Sequence, residues 1–165
     1  RAQARLAVEW FRATMPGFAD CFLVDTAHRV GVRAGRGILG QETITPEDLD
    51  AGTPVPEPIA LGTRSYGGHG LTAFAPPWRQ SNPGLRGLPW RALLPVSFSN
   101  VAAGGRAISA DARVLDAFRL MARCMATGQA AGVTAALAAR AGATIGQLDY
   151  GAVRDELLAQ GAVLE

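Results

Sequence analysis

Two glycines four residues apart, Gly128 and Gly132, interrupt a proline-free run rich in Ala, Leu and Met from Leu120 to Ala139. On a helix they lie on one side, with Ala131, Ala135 and Ala136 beside them. Each glycine inside a helix costs about 1 kcal/mol relative to alanine. A close approach by another helix, a strand or a flat ligand is the simplest compensation. The leading end of such a helix, near Leu120 to Ala122, carries the positive end of the backbone dipole and suits a group with negative charge or strong acceptor character. A glycine pair, Gly104-Gly105, followed by Arg106, stands just upstream.

Other chemistries find less support. Ser109 has no G-x-S-x-G elbow, and neither His28 nor His69 sits in a motif that would make it a serine hydrolase's base. Cys21 and Cys124 are far apart, without a C-x-x-C or a flanking histidine pair, which argues against a metal site and a disulfide framework. Both read as buried thiols of a cytoplasmic protein. All sixteen basic residues are arginine, the net charge is only +2, and no run of like charge occurs, so no nucleic-acid face is expected. No apolar run is long enough to span a membrane, and the charged start RAQARLAVEWFRA is unlike a signal peptide. The chain has no Met at position 1, which suggests a piece of something longer.

A chain of 165 residues, 48% of them hydrophobic, can bury one sizeable core, so residues 1–165 are expected to form a single domain. Leu6, Trp10 and Phe11 set a helix over residues 2 to 14, ended by Met15-Pro16-Gly17. Cys21 to Val24 reads as a buried strand, and Val30 to Gly40 as a strand or bend whose backbone approaches something closely. Thr45-Pro46-Glu47-Asp48 opens a helical turn. Residues 52 to 95 hold eight of the ten prolines and read as irregular, with short strands near Ile59 to Leu61 and Trp90 to Leu94. Val96 to Ala103 is a further strand candidate. The long helix should close at Gly142, and a final amphipathic helix should run from Tyr150 to Gln160. The order gives an α+β fold.

Three segments together carry a resemblance. GGRAISAD followed by an arginine and CMATGQAAGVTAALA resembles the closing motif of FAD-dependent oxidoreductases that end in a Gly-Arg turn and a G-Q-A-A-G helix. GVRAGRGILGQETITPEDL is similar to that family's segment with two spaced arginines, and LPWRALLP to its aromatic-Arg segment. The matches keep the family's order across roughly Asp25 to Leu164. The resemblance implies FAD as cofactor, with the C2 carbonyl region of a reduced flavin as the acceptor at the helix start. It implies that Gly105, Arg106 and Ser109 lie along the ribityl and phosphate portion. Arg119, Leu120, Met121 and Ala122 then cover the flavin ring, with Gly128, Gln129 and Gly132 on the close-packing face. Arg33, Arg36, His69 and Arg91 are placed nearer a small-molecule substrate. The pattern departs at Gly67-Gly68-His69, where the family has an acidic residue two places before the histidine.

No segment carries G-x-G-x-x-G behind a first strand at the mouth of a helix, the turn that would hold the FAD pyrophosphate. The chain therefore reads as the C-terminal, flavin-covering part of an oxidoreductase, lacking the N-terminal Rossmann segment. Its partner would be the remainder of that enzyme, without which it is expected to be inactive. Residues alone leave a second reading, a non-catalytic interaction module or truncated fragment that docks through its glycine-faced helix.

Overall fold

The computed structural model describes the backbone of residues 2–50, 54–63 and 85–164, and the side chains of all these but 49, 50, 62, 63, 85, 86, 113, 116 and 117. His69 lies outside the described residues. The chain divides into two compact units, Arg1–Val32 and Arg33–Glu165.

In the first unit, helix α1 spans Ala2–Thr14. It stops where expected: Gly17 takes φ +85°, and the Phe18 amide donates to the Met15 carbonyl at 3.1 Å. Phe11 packs between Trp10, edge-on at 5.2 Å, and Phe18, stacked at 5.5 Å. Arg12 Nε donates to the Cys21 carbonyl at 2.7 Å. No residue of α1 is buried. The expected strand at Cys21 to Val24 does not form, and Phe22, Leu23 and Val24 are exposed. An apolar run of four has no partner strand here to satisfy its backbone.

The second unit holds helix α2 (Pro46–Asp50), strands β1 (Pro58–Thr63) and β2 (Leu85–Pro89), and helices α3 (Ala112–Phe118), α4 (Met121–Ala141) and α5 (Tyr150–Ala159). β1 and β2 pair antiparallel, with Leu61 opposite Gly87 and an irregularity between Pro58 and Leu61. The described residues thus form an α+β arrangement. α2 begins as its sequence requires: the Asp48 amide donates to Thr45 Oγ1 at 3.2 Å, and Asp48 Oδ2 accepts from the Thr45 amide at 2.8 Å. Gly142 ends α4 at φ +62°, also as expected.

Trp90 to Leu94 is not a strand: Trp90–Leu93 form a 3-10 turn that follows directly from β2. Val96 to Ala103 is irregular as well. Single backbone bonds replace a sheet there. Segment 38–44 threads between the others: the Gln41 amide donates to Leu94, Val96 to Leu39, Ile38 to Ala107 and Ile44 to Ser109. Val30 to Gly40 does approach closely where it was expected to. A Cβ on Gly37 would meet the Ile108 carbonyl oxygen at 2.8 Å, and one on Gly40 would meet Ser109 Cβ at 2.6 Å.

α4 organises the core. Its buried residues Arg123, Thr127, Ala130, Val133, Thr134 and Ala138 recur at three- and four-residue steps, so one stripe faces inward. That stripe packs in a cluster with Ile59, Leu88, Trp90, Leu93, Ile108, Val153 and Leu157. Two long-range polar bonds fix the register. Trp90 Nε1 donates to Thr134 Oγ1 at 3.0 Å, and the Tyr150 hydroxyl donates to the Pro58 carbonyl at 2.7 Å. Thr134 itself donates back to the Ala130 carbonyl at 2.7 Å. Replacing Thr134 with Val leaves the buried indole N–H without an acceptor, which costs about 1–3 kcal/mol. Urea unfolding of Thr134→Val should show that loss, and a midpoint equal to wild type would show that the bond contributes nothing.

Candidate functional site

The leading end of α4 meets the turn that precedes α3. Gly105–Ala107 form a 3-10 turn entered from Gly104, and Gly105 takes φ +64°. A Cβ on Gly104 would stand 3.1 Å from Gly128 Cα and 3.2 Å from the Thr127 carbonyl oxygen. The turn therefore lies against the helix backbone, and the residue that must lack a side chain is Gly104. Gly128 and Gly132 are exposed, with nothing within 4 Å of where a Cβ would stand. Gly128 receives Gly104 on its backbone, while the space where side chains of Gly128 and Gly132 would stand is open.

α4 starts without a cap. Its N-cap residue is Leu120, whose side chain has no oxygen to offer, and no side-chain cap bond forms there. The first amides of a helix lack intrahelical acceptors. Those of Met121 and Ala122 have no acceptor recorded among the described residues. Leu120, Met121 and Ala122 are exposed, Met121 by 83%, and Met125 one turn on is 74% exposed. An apolar rim thus surrounds two amides at the positive end of a 21-residue helix.

Arg106 is exposed beside this end, and Arg119 is half-buried immediately before it. Arg123, one turn in, is 6% exposed and lies 5.5 Å from the centre of the Phe118 ring. Burial lowers its pKa from the ordinary arginine value. Cys124 Sγ would be 3.7 Å from a Cβ on Gly105. Ser109 lies elsewhere. It is 2% exposed, and its hydroxyl is hydrogen bonded to that of Thr43 at 2.8 Å. It holds segment 38–44 and offers no oxygen on the surface.

Gln129 and Gly132 are also set apart. Gly132 is about 16 Å along the axis from Met121 at the usual helical rise. Both line a groove of about 280 Å³ against α5, with Val133, Leu137, Arg140 and Glu156. Gln129 Nε2 donates to Gln160 Oε1 at 3.0 Å, and Gln160 Nε2 to Glu156 Oε1 at 2.8 Å.

Of the arginines placed near a substrate, Arg33 and Arg36 are exposed. Arg36 precedes Gly37 and Ile38, whose backbone lies along Ala107 and Ile108, so its segment borders the Gly105 turn. Arg91 is committed otherwise. Its Nε lies 2.7 Å from Glu57 Oε2, its Nη2 donates to Glu57 Oε1 at 2.8 Å, and its Nη1 to Gln41 Oε1 at 3.2 Å. Glu57 has φ +49°, a left-handed conformation unusual for a residue with a side chain. The Arg91 fork and the Trp90 amide, which donates to the Glu57 carbonyl at 2.9 Å, hold it there.

Sequence reasoning missed Thr127 and Cys124 at this site. A threonine directly before a helical glycine, facing a Gly-Gly pair upstream, was the available signal. Residues Gly35-Arg36-Gly37-Ile38-Leu39-Gly40 do spell G-x-G-x-x-G. The structure has neither a strand before them nor a helix after, and Gly37 and Gly40 serve close packing instead.

An open, apolar-rimmed helix start thus stands beside an arginine-bearing glycine turn. The family model for FAD-dependent oxidoreductases matches residues 1–157, and the chain belongs to that family. FAD is accordingly its cofactor class. No curated protein and no solved structure matches the chain.

Glu42 provides a check on the electrostatics around Arg91. Burial raises its carboxyl above the usual 4.5, the charges of Asp48 and Glu57 raise it further, and Arg91 opposes them. A carboxyl raised on folding supports the fold while protonated, and that support is lost as pH rises through its folded-state value. Glu42→Gln should therefore be more stable than wild type at neutral pH. The difference should shrink as pH falls towards 4.5. A melting-temperature difference that stays constant across that range would refute the assignment.

Proposed function

We propose that this chain is the C-terminal, flavin-covering part of an FAD-dependent oxidoreductase, and that it contributes flavin and substrate contacts for oxidation of a small organic molecule. FAD, when bound, supplies the hydride-accepting chemistry. The chain supplies position and electrostatics. The amides of Met121 and Ala122 face the acceptor edge of the ring, and Leu120, Met121 and Met125 exclude water around it. Arg106 and Arg119 neutralise charge beside the Gly105 turn. Arg33 and Arg36 hold an anionic or carbonyl-bearing substrate, while Arg91 keeps Glu57 neutralised. His69 completes the substrate side.

One observation carries this reading. The longest helix of the described residues begins uncapped, behind an exposed apolar rim, next to a turn that its own backbone holds in place. The pyrophosphate and adenine portion would be held by a Rossmann segment outside this chain. The glycine face of α4, open at Gly128 and Gly132, also suits the docking of a partner protein without catalysis.

Expression of the chain together with its upstream coding sequence, followed by visible spectroscopy, separates the two. A yellow product with one FAD per chain supports the flavoenzyme. A colourless, well-folded product would defeat it.

A single substitution tests the helix end more directly. Met121→Asp places a negative charge where the dipole favours it, which adds about 0.3–1 kcal/mol to the helix. Stability should hold or rise while FAD retention falls several-fold. Retention equal to wild type would remove α4's first turn from the site.

A further inference from the structure

Thr127 is 1% exposed and makes bonds in two directions. Its Oγ1 accepts the Gly105 amide hydrogen at 2.8 Å. It donates back to the Arg123 carbonyl at 2.9 Å, with the Cys124 carbonyl at 3.2 Å sharing the same hydrogen. One hydroxyl therefore joins the first turn of α4 to the Gly105–Ala107 turn. The same two elements also meet where Gly104 packs on the backbone at Thr127 and Gly128.

The arrangement has a chemical consequence. Gly105 N–H, an apparent donor for a ligand, is consumed internally. The ligand is left with the exposed end of α4 and the outward side of the turn, and the Thr127 hydroxyl ties the two together. We infer that Thr127 is a positioning residue for the flavin: its hydroxyl fixes the Gly105–Arg106 turn against the α4 start so that both address the cofactor at once. This rests on the reading of that junction as the flavin site.

Thr134 makes the matched control. It is a second fully buried threonine on α4, it also donates back one turn, and its partner is the Trp90 indole rather than the turn. The preparation is the chain expressed with its upstream coding sequence, stripped of FAD and titrated with FAD, as wild type, Thr127→Ser, Thr127→Val and Thr134→Val. Unfolding midpoints are recorded for each.

Thr127→Val keeps the shape and removes the acceptor, so FAD affinity should fall about tenfold, the typical weight of one buried hydrogen bond. The visible flavin bands should shift in position. Thr127→Ser should stay within about threefold of wild type with unshifted bands, since it keeps the hydroxyl. Thr134→Val should lose stability with unchanged affinity and bands. If Thr127→Val fails to fold, Thr127→Ser against Thr134→Val still decides, because a shift of the bands in the serine variant or an equal affinity loss in Thr134→Val overturns the inference. Unchanged binding and bands in a folded Thr127→Val overturn it too. A wild type that binds no FAD fails instead at the reading of the site, and the inference falls with it.

Discussion

The contact between Gly104 and the backbone of α4 at Thr127 and Gly128 is the constraint from which the second unit is built. Two backbones come within van der Waals distance only where one of them carries no side chain, and a Cβ at Gly104 would be 3.1 Å from Gly128 Cα. Once seated, the turn brings Ala107 to Ile38, Ser109 to Ala92 and Ile44, and Ala103 to Leu93. The helix thus acts as a flat bed on which several irregular strands of chain register. A two-stranded sheet would not hold such segments together by itself.

α4 does this with threonines rather than larger polar groups. Thr127 and Thr134 lie seven residues apart on the inward stripe, and each returns its hydroxyl hydrogen to a carbonyl on the helix itself. The oxygen is left to accept from outside, from Gly105 N–H in one case and from Trp90 Nε1 in the other. Both threonine hydroxyls and the two N–H donors they meet are thereby satisfied. An apolar stripe would pack as well but would leave both donors without acceptors.

Helices were legible in the sequence because their ends are local. Thr45 with Pro46, the Met15-Pro16-Gly17 stop and Gly142 each define a boundary by backbone chemistry within a few residues, and α1, α2, α4 and α5 lie within a residue or two of the expected limits. The strands were less so. Ile59 to Leu61 falls inside β1, but Cys21 to Val24, Trp90 to Leu94 and Val96 to Ala103 are short stretches whose local composition does not separate a strand from 3-10 turn or irregular chain. At the site, residue types were visible and partners were not. Arg91 finds Glu57 thirty-four residues away, and Ser109 finds Thr43 across sixty-six. Such pairings follow from the tertiary fold alone.

The missing cap is one cost at the start of α4. Thr45 and Asp48 close the start of α2, and Thr144 with Gln147 forms a reciprocal box at the 3-10 turn Ile145–Gln147, whereas α5 after Asp149 begins, like α4, without a side-chain cap. Replacing a capping residue by an apolar one costs about 0.5–2 kcal/mol, and an exposed apolar rim adds to the liability. α4 carries both, together with two glycines at whose positions a Cβ would meet nothing within 4 Å among the described residues. A further surface that supplied acceptors at the helix start and apolar area around it would offset those costs. For a chain of the FAD-dependent oxidoreductase family, a flavin ring is a surface of that description.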